Sequence, residues 1–337
     1  MHLGIAVADF DPWDFFNEMY ADLNEHYQTS LFEERKFKSP IFYTQVNRFL
    51  FQRDLQAFMR ANEVIFFEWA SELLAHATHL PKTCGIITRL HRYEMYRWVK
   101  EIKWDNVDKI ILVSQAKQKE FVSKYPDQTH KTIVIPETIS LEKFKLMPKT
   151  FNGDLGILCH LTPRKRVYDL LMAFYELNKI SSDFHLHIAG GPNPAHLDYF
   201  YSMIDIIGRL KIQDKVTIYG NLTETASWYH NIDIFISNSY SEGLQVSPIE
   251  AMASGCFCLS HHWAGADELL PEENLFFTSH ELMDKILSYC ELSENEKITQ
   301  KVRMRSIIED SFDISHTKLQ IRNLIEDVGK YYLETSK

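Results

Sequence analysis

Residues 241–255 read SEGLQVSPIEAMASG and decide the local fold of the second half of the chain. They follow an apolar run, IDIFISN at 232–238, which has the composition of a buried β-strand. Ser247 suits a helix N-cap, Pro248 the first helical position and Gly255 the end of a short helix. The pattern therefore predicts a strand, a sharp turn and a helix, an arrangement whose free amides bind phosphate groups in open α/β sheets.

Two glutamates in this stretch, Glu242 and Glu250, have different simple interpretations. Ser247 and Glu250 match a capping box, in which the glutamate satisfies the backbone amide of the N-cap. Glu242 precedes the helix, so capping is not available to it, and a solvated loop charge is its simple alternative. Glu242 is therefore the stronger candidate for contact with a ligand.

Composition predicts a soluble globular protein of two domains. The chain has 337 residues, of which 45% are hydrophobic and 24% charged. A net charge of -10 argues against nucleic acid as the main partner and offers nothing to attract an acidic membrane surface. The amino terminus lacks the basic start and long apolar region of a signal peptide. Five cysteines without a Cys-x-x-Cys pair argue against disulfides and structural zinc, so we expect a cytoplasmic protein.

Short β-rich runs alternate with longer helical patterns, which is typical of βαβ units and parallel sheets. The first half has five such runs, at 3–8, 63–69, 84–90, 109–114 and 131–136. The second half has five more, at 155–161, 184–190, 215–220, 232–238 and 256–260. These runs predict two similar sheets.

The predicted join between the halves is LMPKTFNGD at 146–154, where proline, glycine and asparagine interrupt both periodicities. It divides the chain into an amino-terminal domain, 1–150, and a carboxyl-terminal domain, 151–337, with a cleft between them. The tail at 315–332 has a helical pattern, and this last helix is expected to pack back on the first domain. Its predicted apolar stripe consists of Leu319, Ile321, Leu324, Ile325 and Val328.

A second chemical signal is the cationic helix start within CHLTPRKRVYDLLMAF, residues 159–174. Arg164, Lys165 and Arg166 crowd a helix amino terminus, where the backbone dipole is already positive and each cation costs several tenths of a kcal/mol, on the order of the usual dipole effect. A bound anion would reverse that cost, so the three cations together predict a phosphate or diphosphate site. The simple alternative is three solvated surface cations.

A third, weaker signal is FHLHIAGGPNP at 184–194, where a strand ends in Gly190 and Gly191. Glycines at this position allow the backbone to approach a ligand closely.

Taken together in sequence order, these motifs resemble those of the retaining glycosyltransferases of family 4. The two glutamates of that family's Glu-x7-Glu motif correspond to Glu242 and Glu250. The resemblance runs from LGILCHL to ADELL at 266–270 and is fainter in the first half. It implies an α/β protein of the GT-B fold, with two facing Rossmann-like domains that have parallel sheets and a cleft between them. The amino-terminal domain, 1–150, would lie on the acceptor side, and the carboxyl-terminal domain, 151–337, would bind the donor.

The resemblance also implies donor contacts. Lys165 matches the lysine that holds the donor diphosphate. His160 stands where the family has an arginine, and Arg166 replaces a glycine, so Arg164 or Arg166 would supply the missing charge.

Further donor contacts implied by the resemblance surround the two glutamates. Glu250 would bind the ribose hydroxyls, and Glu242 would lie near the donor sugar. The remaining implied donor neighbours are the amides of Gly243, Leu244, Gln245 and Val246, the Gly190–Gly191 turn, and Tyr219 and Gly220 near the base.

In the first half, His91 within RLHRYE at 89–94 is the candidate histidine facing the donor sugar. Its simple alternative is a histidine packed in a loop. The implied catalytic residues are thus His91, Lys165 and Glu242.

The implied reaction transfers a sugar from a nucleoside diphosphate to an acceptor hydroxyl with retention, in glycan or polysaccharide assembly. No metal or other cofactor is expected, because cationic side chains stabilise the leaving diphosphate. The acceptor would be a glycan or a lipid-linked or protein-linked group. Two alternatives stay open: a sugar-nucleotide epimerase or phosphorylase of the same fold, and a non-catalytic sugar-nucleotide-binding subunit of a transferase complex.

Peripheral contact with the inner face of a membrane is a further hypothesis. The segment RFLFQRDLQAFMR, residues 48–60, mixes arginines with Phe51, Leu55, Phe58 and Met59 at a spacing that suits an interfacial helix. The simple alternative is that this stripe packs on its own sheet.

Overall fold

The computed structural model describes residues 1–7, 16–35, 43–147 and 149–335. They form two compact units, one of Met1–Pro136 with Ser315–Lys337 and the other of Glu137–Ile314. The division falls after Pro136, upstream of the predicted join at 146–154.

The first unit is a parallel six-stranded sheet with the strand order β2-β1-β3-β4-β5-β6. Its strands are β1 (His2–Ala6), β2 (Gln28–Leu31), β3 (Val64–Phe67), β4 (Gly85–Leu90), β5 (Lys109–Leu112) and β6 (Thr132–Val134). The helices between them are α1 (Asn17–His26), α2 (Tyr43–Ala61), α3 (Glu72–His79) and α4 (Gln115–Lys124). The fully buried β3 has a continuous apolar sequence, as central parallel strands do, whereas the equally buried β4 includes Thr88 and Arg89.

The second unit repeats this architecture with the strand order β12-β11-β10-β7-β8-β9. Its strands are β7 (Asp154–Leu158), β8 (His185–Ala189), β9 (Val216–Gly220), β10 (Ile234–Ser237), β11 (Phe257–His261) and β12 (Leu275–Phe276). Its helices are α5 (Val167–Ile180), α6 (Leu197–Leu210), α7 (Thr225–Tyr229), α8 (Val246–Ala253), α9 (Ser279–Glu291) and α10 (Glu294–Ser311).

Each sheet has one point at which the order of its strands reverses. In the second sheet β7 pairs with β10, for example through Ile234 and Leu155, while β8 and β9 extend to one side and β11 and β12 to the other. In the first sheet the reversal lies between β1 and β3. The loops after adjacent strands separate at such a point and leave a crevice at the carboxyl edge, where α/β proteins bind ligands.

The predicted alternation of strands and helices is confirmed, but each sheet has six strands rather than five. The sequence analysis missed β2, which is four residues of mixed polarity, and β12, which has two residues. Such short strands have too few residues to show a period. Residue 8, the predicted end of the first strand, lies outside the described residues.

The prediction that Ser247 caps a helix is wrong. Helix α8 begins at Val246 after Gln245, whose extended backbone makes it the N-cap residue, and no side chain caps this end. Ser247 instead lies in the first turn, where its hydroxyl accepts a hydrogen bond from Gln245 Nε2 at 3.0 Å. The capping box of Ser247 and Glu250 is therefore absent, and Glu250 is available for another contact.

The last helix, α11 (Ile314–Thr335), belongs to the first unit. Ile321, Leu324, Ile325 and Val328 are buried in a core cluster with residues of that unit, as the stripe predicts. Leu319 is the exception, because it is 53% exposed.

The apolar stripe of α2 packs against its own sheet. Leu55 and Met59 are fully buried in the core of the first unit, and Phe51 and Phe58 pack against that core. This packing is the simple alternative given above, and the hypothesis of an interfacial role for this stripe has no support from it. No helix among the described parts of the chain has the length and apolar character needed to cross a bilayer.

Gly190 ends β8 in a conformation that other residues do not adopt. Its φ is 139°, and a Cβ placed there would lie 1.9 Å from the carbonyl oxygen of Cys159. Its amide donates to the carbonyl of Gly220 at 2.8 Å. The turn after β8 therefore requires glycine for backbone reasons alone.

We expect Gly190→Ala to lower the free energy of unfolding by at least about 2 kcal/mol, because the substitution combines a clash with a strained φ. Urea denaturation measures this loss. The matched control is Gly208→Ala in α6, where an added Cβ has no neighbour within 4 Å and alanine should stabilise by about 0.5–1 kcal/mol. Equal stability of Gly190→Ala and the wild type would contradict this account.

Candidate functional site

Three charged side chains meet at the reversal point of the second sheet. The turn after β7 carries Arg164 and Lys165, and the loop after β10 carries Glu242. Lys165 Nζ lies 2.6 Å from Glu242 Oε1, and Arg164 Nη1 lies 2.6 Å from Glu242 Oε2. One carboxylate therefore holds two cations, each by one oxygen.

Two of the three members of this ion cluster are buried and Arg164 is partly exposed, which corrects two interpretations from the sequence. Glu242 and Lys165 are each only 7% exposed, so neither is a solvated loop charge. Burial by itself raises the pKa of Glu242, but the charges of Lys165 and Arg164 outweigh burial and lower it below 4.5. Glu242 is therefore ionised at neutral pH, and the cluster has a net charge of about +1 available to an anion.

Arg166 does not join the cluster. It adopts a left-handed conformation with φ of 52°, and its guanidinium pairs with Asp169 at 2.8 Å. Glycine suits this conformation better, which gives a physical reason for a glycine at the corresponding position of the family. Of the two arginines expected to supply charge, the structure therefore places Arg164 beside Lys165.

His160 lies between β7 and these cations. Partial burial, followed by the charges of Lys165 and Arg164, lowers its pKa below 6.5. His160 is therefore neutral at pH 7 and provides a hydrogen-bonding ring where an arginine would provide a charge.

The loop from Gly243 to Val246 leads directly into α8. Gln245 is buried, and its side chain accepts a hydrogen bond from Ser237 at the end of β10. Leu244 packs against the core of the second unit. These contacts fix the path of the loop, so the first amides of α8 are held at the carboxyl edge of β10.

Glu250 lies on the first turns of α8 and is held by a residue that the sequence analysis missed. The Tyr229 hydroxyl donates to Glu250 Oε2 at 2.8 Å. Tyr229 itself is buried, and burial together with the charge of Glu250 raises its pKa well above 10. No spacing in the sequence links Tyr229 at the end of α7 with Glu250, because the two residues meet only when the helices pack.

Burial raises the pKa of Glu250 to about 7, although the hydrogen bond from Tyr229 and the charge of Lys143 partly offset it. Glu242 and Glu250 therefore have opposite shifts in one segment. The first is fixed as an anion, whereas the second changes its charge near neutral pH.

The glycine turns lie at the same edge of the sheet as the ion cluster. The Gly191 amide donates to Asn221 Oδ1 at 2.7 Å, and Gly220 has a left-handed φ of 70°. The Tyr219 hydroxyl lies 2.8 Å from His187 Nδ1, while its side chain stays 41% exposed. The contact of Tyr219 with the base of a nucleotide stays a prediction. Such a contact would be made by the exposed ring.

His91 follows β4 in the first unit. Its Nε2 lies 3.4 Å from Glu68 Oε1, and its amide donates to the Glu94 carboxylate at 3.0 Å. Glu68 is buried and also pairs with Arg89 at 3.2 Å. The ring of His91 is thus oriented by a carboxylate, and its role toward a donor sugar stays a prediction.

Comparison with known sequences shows that the second unit is similar to glycosyltransferases. Residues 153–291 match the family described as Glycosyl transferases group 1. The chain is 29% identical to the alpha-monoglucosyldiacylglycerol synthase of Streptococcus pneumoniae over 203 residues, which cover 54% of this chain and 44% of that protein. It is 26% identical to the lipopolysaccharide core biosynthesis mannosyltransferase LpsB of Rhizobium meliloti over 107 residues, which cover 32% and 30%. The matches span less than half the length of either relative.

Comparison with solved structures identifies the fold. The crystal structure of Anabaena Alr3699/HepE in complex with UDP has a TM-score of 0.78 at 16% identity, covering 97% of this chain and 99% of that one. Sucrose-phosphate synthase from Thermosynechococcus elongatus has a TM-score of 0.78 at 12% identity, covering 97% and 98%. The chain therefore has the GT-B fold of two Rossmann-like domains with parallel sheets, as predicted.

We expect Glu242→Gln to lower the free energy of unfolding at pH 7 by roughly 2–4 kcal/mol, because it leaves the buried Lys165 and the partly exposed Arg164 without their anion. The folded pKa of Glu242 is lowered, so its stabilisation is complete above about pH 4.5 and is lost as the pH falls through the folded value. Chemical denaturation at several pH values should therefore show that the free energies of unfolding of the variant and the wild type approach each other below pH 4.5. Glu273→Gln, which removes an exposed pair with Arg303, is the matched control and should cost less than about 1 kcal/mol. A loss that does not depend on pH would contradict the assignment.

Glu250→Gln should show the opposite pH dependence. The folded pKa of about 7 exceeds the ordinary 4.5, so the contribution of Glu250 to stability is greatest below pH 4.5 and is lost as the pH rises through 7. The neutral amide avoids this loss, so the variant should be more stable than wild type at pH 8, by up to about 3 kcal/mol, and similar at pH 5. Thermal denaturation at both pH values measures the difference, and an equal effect at pH 5 and pH 8 would show that burial does not control this carboxyl.

Proposed function

We propose that the chain is a glycosyltransferase that moves a sugar from a nucleoside diphosphate to an acceptor hydroxyl with retention at the anomeric carbon. The observation that carries the proposal is the ion cluster of Lys165, Arg164 and Glu242 at the reversal point of the second sheet. Cations, helix amides and a glycine turn meet at this edge, and each of them favours a diphosphate.

In this proposal the donor diphosphate binds Lys165 and Arg164. Glu242 keeps these cations ordered before the donor arrives, with a spacing set by the two oxygens of one carboxylate. Negative charge grows on the diphosphate as the bond to the sugar breaks, so a cation that contacts the diphosphate stabilises the transition state more than the ground state. The charge of the two side chains serves the role that a metal serves in other transferases, and the departing phosphate accepts the proton of the acceptor.

The second anchor of the donor is Glu250. Its carboxylate accepts hydrogen bonds from the ribose hydroxyls and is held in place by Tyr229. The contact of Glu242 with the donor sugar belongs to the same proposal, and it requires one of the two cations to move from the carboxylate to the diphosphate.

UDP is the proposed nucleotide. Structures similar in fold are complexes of Anabaena Alr3699/HepE with UDP and with UDP-glucose. Two curated relatives act in glycolipid and lipopolysaccharide synthesis by name, which supports a glycan or lipid-linked acceptor. The five free cysteines support a reducing compartment, so we place the reaction in the cytoplasm.

A second candidate function is that of a non-catalytic sugar-nucleotide-binding subunit. One observation favours it, which is that His160 is neutral at pH 7 where the family has a fixed positive charge. Turnover of a UDP-sugar by the purified chain would exclude this candidate.

We expect Lys165→Met to reduce turnover of the UDP-sugar on the order of 100-fold or more, because it removes transition-state charge stabilisation and keeps the apolar stem. UDP release with a panel of UDP-sugars measures the loss. The matched control is Lys179→Met in α5, which removes an exposed lysine paired with Glu176 and should leave turnover unchanged. Lys165 is buried and pairs with Glu242, so its removal could also destabilise the fold. The melting temperatures of the variant and the wild type show whether lost turnover comes from lost chemistry or from unfolding. Near wild-type turnover in a folded Lys165→Met protein would contradict the proposed role of Lys165 in stabilising the leaving diphosphate.

A further inference from the structure

Helix α6 of the second unit carries an apolar stripe on its surface. Leu197, Tyr201 and Ile204 are 45%, 64% and 44% exposed. Their spacing of four and then three residues places them on one side of the helix. Gly208 extends the row by four residues, and an added Cβ there would have no neighbour within 4 Å. A contiguous apolar row of this kind marks an interaction site, unlike apolar residues exposed singly.

The stripe lies on the side of α6 that faces away from α5. The Tyr199 hydroxyl accepts a hydrogen bond from the Tyr168 amide at 2.9 Å, so α5 lies on the side of Tyr199. Met203 is fully buried and marks the side that faces the sheet. At about 100° per residue, Tyr199 and the stripe lie on opposite sides of Met203. Since α5 follows β7 and α6 follows β8, the stripe lies toward β9, the last strand of the sheet.

The outer edge of β9 offers a second surface beside the stripe. Within the described residues, β9 pairs with β8 alone. The Lys215 carbonyl accepts a hydrogen bond from the Leu186 amide at 2.9 Å and so points toward β8. Backbone groups alternate between the two edges of a strand, so the amides of Val216 and Ile218 point to the outer edge. The sequence VTIYG of β9 has neither the charges nor the proline that commonly protect an edge strand.

We propose that a second copy of this chain covers both surfaces, with the two β9 strands paired antiparallel about a twofold axis. A second copy has the same edge and the same stripe, so one twofold contact covers both. The axis is perpendicular to the joined sheet, and the two α6 helices therefore lie on the same face, side by side and antiparallel.

The stripe is complementary to itself in this orientation. Leu197 and Gly208 are equally far from the middle of the row, as are Tyr201 and Ile204. Antiparallel packing therefore sets Leu197 of each copy against Gly208 of the other, and Tyr201 against Ile204. The alternation of four and three residues is the spacing at which helices pack along a seam, and the glycine leaves room for the leucine.

A membrane is a poorer occupant of this surface. Asp198 and Asp205 are exposed on the same helix, and an anionic lipid surface would repel them. A membrane also offers no strand to pair with the outer edge of β9.

The first test is sedimentation velocity on the full chain from about 1 to about 100 µM, a range around a micromolar dissociation constant. The chain should be a monomer at the low end and a dimer at the high end. Tyr201→Glu and Ile204→Glu should each raise the dissociation constant about ten-fold or more, because a charge enters an apolar contact. The matched control is Ser202→Glu, which adds the same charge to an exposed position outside the stripe and should dimerise as the wild type does.

Hydrogen exchange followed by NMR tests the strand contact separately. At the high concentration, the amides of Val216 and Ile218 should exchange about ten-fold or more slowly in the wild type than in Ile204→Glu. This variant leaves β9 itself unchanged, so the difference reports the pairing of the two β9 strands.

A chain that stays monomeric over the whole range would overturn the inference, as would a dimer that both glutamate variants retain. Equal exchange of the two amides in the wild type and the variant would rule out the strand pairing. Flotation with phosphatidylglycerol vesicles that Ile204→Glu abolishes would assign the stripe to a membrane instead. These measurements do not involve sugar transfer, so their outcome is independent of the proposed function.

Discussion

The contact on which the proposed donor site depends is the double ion pair of Glu242 with Lys165 and Arg164. It joins the turn after β7 to the loop after β10, the two segments that flank the reversal point of the second sheet. The charges of Glu242 and Lys165 are buried, and buried charges persist only if each has a partner. The sheet order brings the segments together, and the carboxylate sets the distance between the two cations.

This constraint explains why the two glutamates behave differently although they are eight residues apart. Glu242 faces two cations and is held as an anion, whereas Glu250 faces a tyrosine hydroxyl and is close to its point of ionisation at neutral pH. Glu242 keeps its charge and orders the cations that would bind a diphosphate, whereas Glu250 titrates separately. A site of this kind can bind a diphosphate tightly while its affinity for the ribose hydroxyls depends on pH.

The sequence predicted the fold well because strand and helix periods are local properties. Two parallel sheets, the helix after IDIFISN and the apolar stripe of α11 all follow from spacing within a single segment. It failed at Ser247, because the side chain of Gln245 is tied to Ser237 and the helix begins at Val246, two residues earlier than predicted.

Contacts between distant segments could not be predicted in the same way. Nothing near Lys165 in the sequence indicates that it is buried against Glu242, which is 77 residues away. The contact of Tyr229 with Glu250 depends likewise on packing, because the two residues lie on different helices, α7 and α8. The cationic run at 164–166 did predict an anion site, but the structure was needed to separate Arg166 from the other two.

A crystal structure of the chain with UDP tests most directly whether the cluster of Lys165, Arg164 and Glu242 is a diphosphate site. We expect diphosphate oxygens within hydrogen-bonding distance of Lys165 Nζ and the Arg164 guanidinium, with the ribose hydroxyls on Glu250. A nucleotide bound elsewhere, with both cations still paired only to Glu242, would contradict the account.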